Sequence, residues 1–183
     1  MPTDRRDFLR LTAAATGGLG LGVSPESLVA DSFQKPEPPA RRAIRILILG
    51  GTGFIGPHQV RYALDRGHTV TLFNRGRTNT HLFPGVERLV GDRNGQLDAL
   101  AGRSWDVVID NSRSNPEWVR LAADFLKDSV GLYFYVSSRS AYSDTSIVPM
   151  TADAPTYTYE SAGVSRDSES LPYGLAKALS ERE

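Results

Sequence analysis

Short apolar runs, each closed by glycine or a polar pair, alternate along this chain with longer stretches whose apolar residues recur every three or four positions. The run Ile44-Arg45-Ile46-Leu47-Ile48-Leu49 is nearly all apolar and ends at Gly50-Gly51. Runs of that kind belong to strands buried on both faces, as in parallel sheets. Phe54 to Arg66 has helical spacing, with Val60, Ala63 and Leu64 on one face and Gly67 as its C-terminal stop. Thr69 to Phe73 reads as a second strand, Val86 to Val90 as a third ending at Gly91-Asp92, and Asp106 to Ile109 as a fourth introduced by Trp105. Pro116 to Lys127 is predicted to be a helix, with Pro116 near its start and Trp118, Leu121, Ala122 and Phe125 turned inward. Leu132 to Val136 makes a fifth strand that leads into Ser137-Ser138. The repeated order strand, helix, strand predicts an α/β fold built on a doubly wound parallel sheet.

The same pattern limits the domain. Residues 31–43 (DSFQKPEPPARRA) are rich in proline and charge and have no hydrophobic period, so they read as a flexible linker. Ahead of them, Arg5-Arg6, Phe8-Leu9 and the weakly apolar run Leu11 to Val23 resemble a bacterial twin-arginine signal over residues 1–30. That run is too short for a membrane-spanning helix, which needs about 20 apolar residues. The signal implies the Tat translocase as a partner and a periplasmic or extracytoplasmic destination. A basic N-terminus on a cytoplasmic protein is the other reading.

Composition narrows the chemistry further. The chain has 183 residues, enough for one domain with a sizeable core but not for two full ones. Basic and acidic side chains balance at 21 each, which gives no general pull toward nucleic acid or anionic lipid. The absence of cysteine excludes disulfides, thiolate catalysis and thiolate zinc sites. His58, His68 and His81 are too scattered to suggest a metal cluster, so no metal is expected.

Gly50-Gly51-Thr52-Gly53-Phe54-Ile55-Gly56 joins the first strand to the first helix. Its glycines at 50, 53 and 56 permit a tight turn, close backbone approach to a pyrophosphate, and tight packing of helix on strand. Unpaired amides at the positive end of the helix would meet the phosphates, with Phe54 and Ile55 among the residues in contact. The flanking strand and helix make this a dinucleotide loop of the Rossmann type in preference to a merely structural turn. Pro57 is awkward there, because it must fit the first helical turn or cost a hydrogen bond. The second strand ends in Asn74, Arg75 and Arg77, where an NAD enzyme usually offers a carboxylate to the adenosine ribose. Asn74 does not repel a phosphate, and an arginine can grip one with two hydrogen bonds, so NADP is favoured over NAD. Arginines that simply face solvent are the alternative. Asp92 stands where it could accept from the adenine amino group, or be an ordinary turn aspartate.

Tyr173 and Lys177 are four residues apart and share one helical face. The lysine cation favours the phenolate, which makes Tyr173 a candidate proton-transfer group. Ser138, at the end of the fifth strand, could hydrogen-bond a substrate alcohol or carbonyl.

The segments ILILGGTGFIG, HTVTLFNRGRT, GVERLVGD, WDVVIDNS, YFYVSSRSAYSD and YGLAKALSERE together resemble the extended short-chain dehydrogenase/reductase superfamily. Within it, the likeness is to the NAD-dependent epimerase/dehydratase group, and to the branch that includes chloroplast stem-loop binding proteins. The resemblance covers residues 44–183 and implies an NAD(P)-binding Rossmann domain. It implies Gly50, Gly53 and Gly56 at the pyrophosphate, Asp92 at adenine, Ser138 at the substrate oxygen, Tyr173 as acid/base and Lys177 on the nicotinamide ribose. It also implies a homodimer, further strands beyond the fifth, and a C-terminal substrate-binding region. On that reading the chain is a C-terminally incomplete, inactive fragment whose fifth strand is an apolar edge. Many relatives have His-Ala-Ala where this chain has Asp110-Asn111-Ser112, and 4,6-dehydratases have Asp-Glu where it has Arg139-Ser140. Sugar dehydration is therefore disfavoured. The expected activity is NAD(P)-dependent epimerisation or keto-reduction of a sugar nucleotide by reversible hydride transfer. RNA binding of the chloroplast type and a non-catalytic dinucleotide sensor are the alternatives. The irregular stretch from Tyr142 to Pro172 is expected to overlie the substrate cleft.

Overall fold

The computed structural model describes residues 42–113, 115–146 and 148–183. The twin-arginine segment and all but the last two residues of the linker lie outside the described residues.

Five strands form one sheet: β1 (Arg45–Leu49), β2 (Thr69–Asn74), β3 (Glu87–Val90), β4 (Trp105–Asp110) and β5 (Val130–Tyr135). Their order is β3-β2-β1-β4-β5 and every pairing is parallel. Helix α1 (Gly56–Asp65) connects β1 to β2, and α2 (Pro116–Leu126) connects β4 to β5. Helix α3 (Tyr173–Ser180) packs on α2 and on a 3-10 turn, Arg139–Ala141. Alternation along β1 explains the two layers, because successive side chains leave opposite faces of a strand. Ile46 and Ile48 join Val60, Ala63 and Leu72 on the α1 side. Leu47 and Leu49 join Trp105, Ala122 and Leu126 on the α2 side. The buried Trp105 indole donates to Thr71 Oγ1 at 3.2 Å, so its polar tip is satisfied inside the core.

The doubly wound parallel sheet is thus present, with element ends shifted by up to two residues. Two helix faces differ from expectation. On α2 the buried residues are Val119, Ala122 and Leu126, while Phe125 is exposed and Trp118 is half-buried. Small Ala122 is fully buried in the core cluster with Leu126, and the two large aromatics lie off it. On α1, Val60 and Ala63 are buried with Gly56, but Leu64 turns outward. Phe54 lies in the loop ahead of α1, 93% exposed. Pro57 sits in the first turn of α1, where the missing amide costs no helical bond. Gly67 ends the turn at φ +81° and donates to the Leu64 carbonyl.

β5 forms one edge of the sheet, with Leu132 and Phe134 half-exposed. Helix α3 ends at Ser180, and Arg182 then donates to Thr156 Oγ1 and the Tyr157 carbonyl.

Candidate functional site

The C-terminal ends of the parallel strands carry the site. Gly50 and Gly51 take φ of +112° and +88°, which turns the chain sharply out of β1. Gly56 begins α1 directly beneath Gly51: a Cβ on it would come within 2.6 Å of the Gly51 backbone. Gly50 donates to the Phe73 carbonyl, and Gly56 to that of Gly53. The amides of Gly51, Thr52, Gly53, Phe54 and Ile55 donate to no acceptor among the described residues. Asn79 Nδ2 holds the Thr52 carbonyl at 2.8 Å and Asn74 Nδ2 holds that of Gly50 at 3.3 Å, both from outside the turn. Open amides at a helix N-terminus, on a loop clamped by its own carbonyls, fit a diphosphate.

Two adjoining clefts, of about 590 and 460 Å³, form a trough over this loop and share Gly50, Gly53, Asn111, Ser112 and Arg113. The smaller cleft runs along Asn74, Arg75, Arg77 and Asp92. The larger contains Phe54, Ile55, Ser138, Tyr173 and Lys177. Of the residues singled out from sequence, only Gly56 does not line the trough, because it is buried under the loop. Asn74 spends its side chain on the loop, accepting from Gly76 N as well as donating to Gly50. Arg75 and Arg77 are exposed at the rim. Asp92 accepts from the Asn94 amide. No described residue of the Tyr142–Pro172 stretch lines the trough, contrary to expectation. That stretch folds back instead: Tyr157 donates to the Ala141 carbonyl and Ser143 to that of Pro155.

Lys177 is buried at the far end, its ammonium donating to the carbonyls of Ser112 (2.7 Å) and Val136 (2.8 Å). It lies 4.7 Å from the centre of the Tyr135 ring and 5.8 Å from that of Tyr173. Burial holds its ammonium below the ordinary lysine range, while the Asp110 and Glu181 carboxylates act against that shift. The Tyr135 phenol is pushed up to about 12, chiefly by burial, and stays neutral. Tyr173 is half-exposed and faces the cleft. Helix α3 approaches closely because residue 174 is glycine, where a Cβ would meet the Ser140 carbonyl at 2.3 Å. That contact sets Tyr173 and Lys177 beside the turn capped by Ser138, whose Oγ accepts from Ser140 N.

The sequence pattern of the NAD dependent epimerase/dehydratase family matches residues 46–183, which include the loop, the trough and the Tyr173–Lys177 helix. The chain belongs to that family. It is 32% identical over 121 residues to the chloroplast stem-loop binding protein of 41 kDa b of Arabidopsis thaliana, over 57% of this chain and 32% of that protein. It is 28% identical over 169 residues to UDP-glucose 4-epimerase of Neisseria meningitidis, over 75% of this chain and 46% of that protein. Among solved structures, UDP-galactose 4-epimerase matches with a TM-score of 0.60 at 22% identity, over 75% of this chain and 49% of that one. The Bordetella bronchiseptica enzyme WbmG, in complex with NAD, matches with a TM-score of 0.58 at 20% identity, over 79% of this chain and 50% of that one. These two likenesses are of fold. The chain spans about half the length of those structures, and less of the curated relatives.

Asp110-Asn111-Ser112 stood out in the sequence only as a departure from relatives, and Arg93 and the roles of that segment in this epimerase-family trough escaped the sequence reading. Asp110 is fully buried and ion-paired with Arg93, which itself lines the smaller cleft beside Trp118. Asn111 Nδ2 donates to Gln59 on α1 at 2.7 Å, and the hydroxyls of Ser112 and Ser137 are buried without a hydrogen-bond partner among the described residues. One signal was available: a carboxylate that closes the strand WDVVID directly after the apolar run Val107-Val108-Ile109 needs a cation nearby.

Proposed function

We propose that the full-length protein is an NAD(P)-dependent epimerase or keto-reductase acting on a sugar nucleotide. The observation that carries this reading is the trough itself. Open loop amides suited to a diphosphate lie at its middle, and Tyr173, Lys177 and Ser138 share its larger end. A bound nicotinamide would supply a reversible hydride acceptor. Tyr173 then takes the proton of the substrate hydroxyl and returns it in the reverse step, at its phenolic oxygen. Lys177, held by two carbonyls, places its ammonium 5.8 Å from the centre of the Tyr173 ring, where its charge favours the phenolate, and would bond the ribose of a bound dinucleotide. Ser138 donates a hydrogen bond to the substrate oxygen. Arg139 and Ser140, where elimination chemistry needs an acidic pair, argue for hydride transfer without dehydration.

Calorimetric titration of the full-length protein with NADPH and NADH, followed by assay of UDP-glucose and UDP-galactose interconversion, tests this. Failure to bind either nucleotide overturns it. Arg75 and Arg77 at the rim, with no carboxylate at the end of β2, support NADPH as the tighter ligand. Arg75→Ala combined with Arg77→Ala is expected to weaken NADPH by roughly tenfold or more, as for loss of a charge-assisted phosphate contact, and to leave NADH unchanged. The Arabidopsis relative's name favours RNA binding as a second reading. A salt-sensitive RNA gel shift without nucleotide binding would put it first.

A further inference from the structure

Beneath the floor of the trough lies an ion pair that the chemistry above does not use. Asp110 closes β4, is fully buried and still receives four hydrogen bonds. Arg93 reaches both its oxygens at 2.6 Å, the Tyr133 hydroxyl reaches Oδ2 at 2.6 Å, and the Ser112 amide reaches Oδ1 at 2.7 Å. A carboxylate that deep stays charged only with such a complete set of partners. Tyr133, desolvated and beside that charge, is held well above the usual phenol range and acts as a donor.

The pair joins the two ends of the trough. Arg93 lines the smaller cleft and also donates to the Trp118 carbonyl at 3.1 Å. At the other end, the residue whose amide Asp110 holds is Ser112, and the Ser112 carbonyl accepts from Lys177. Residue 112 is therefore gripped on one side by the carboxylate and on the other by the ammonium. Asp110 is also the chief attractive charge acting on Lys177, which otherwise faces Glu181 and Tyr173 from its own helix and Tyr135 from β5, with Arg113 on the cleft wall.

We propose that Arg93 and Asp110 are positioning residues that couple the halves of the trough. An adenosine-phosphate ligand seated against Arg93 is felt, through Asp110 and Ser112, by Lys177 beside Tyr173. The ligand's identity rests on the dinucleotide reading above, whereas the hold of the ion pair on Lys177 does not.

The chain has three lysines, Lys35, Lys127 and Lys177, so ¹³Cε-lysine NMR resolves the group directly. Without ligand, Asp110→Asn removes the attractive charge and leaves Arg93 unneutralised. Lys177 should then titrate lower. Arg93→Met should move it the opposite way, and Arg93→Lys, which keeps the charge, should leave it in place. Equal or same-direction shifts in Asp110→Asn and Arg93→Met would overturn the proposal. If Asp110→Asn does not fold, the contrast between Arg93→Met and Arg93→Lys decides it. In a second arm, 2′,5′-ADP, which spans only the adenosine end, is titrated while the Lys177 signal is followed. The expected result is a response in the wild type that is lost in Arg93→Lys at saturating probe. A response retained there breaks the coupling claim. No binding of 2′,5′-ADP would refute the NADPH preference and the coupling together, and leave the dinucleotide reading to the NADH titration and the hold on Lys177 to the first arm.

Discussion

Gly56→Ala is expected to lose both stability and nucleotide binding, whereas Gly53→Ala should lose binding alone. The two glycines look alike in the sequence but face different surroundings. A methyl at 56 would press on Gly51 Cα and carbonyl carbon at 2.6 Å, and backbone atoms of a clamped loop cannot step aside. Overpacking of that kind costs about 1–3 kcal/mol, and the loop would also lift from the start of α1. A methyl at 53 meets nothing within 4 Å, so folding should change by no more than about 0.5 kcal/mol. The open space it enters is the trough, against the amides that fit a diphosphate. Thermal melting and NADPH calorimetry on both variants separate the effects. A Gly53→Ala protein that binds NADPH as the wild type does would remove the loop from the binding site.

Tyr173→Phe should leave NADPH affinity intact while lowering turnover by about 10²–10⁴-fold, the usual contribution of a positioned proton-transfer group. In free energy that is roughly 2.7–5.5 kcal/mol of barrier. Tyr173 is the cleaner test than Lys177 because it is half-exposed and its hydroxyl makes no hydrogen bond among the described residues. Lys177 holds together Ser112 and Val136, so replacing it would disturb the fold as well as the chemistry. The same variant separates an enzyme from a dinucleotide sensor: a sensor keeps its ligand response without the phenol. Turnover equal to wild type would sink the assignment of Tyr173.

The layers of the fold were readable because they follow local periodicity. Ile46 to Leu49 could only be a strand covered on both sides, and Gly50 to Gly56 could only be a turn into a helix. The phase of α2 was not readable. Trp118 and Phe125 carry the largest apolar surface, yet Ala122 and Leu126 take the sheet-facing positions. Such a choice depends on how closely the helix can approach, which a one-dimensional pattern does not contain. The Arg93–Asp110 pair was hidden for a related reason. Its members leave different strands 17 residues apart, and only the parallel order β3-β2-β1-β4 brings them together. Tyr173 and Lys177, by contrast, are neighbours on one helix, and their spacing was visible at once.

The chain's two tryptophans stand in unlike places. Trp105 is sealed in the core, while Trp118 sits on the wall of the smaller cleft with its indole nitrogen donating to Asn94. The molecule therefore has a built-in optical reporter. Quenching of indole emission by contact with a nucleotide is expected from Trp118, and a Trp118→Phe variant, which keeps Trp105, supplies the reference without any added dye.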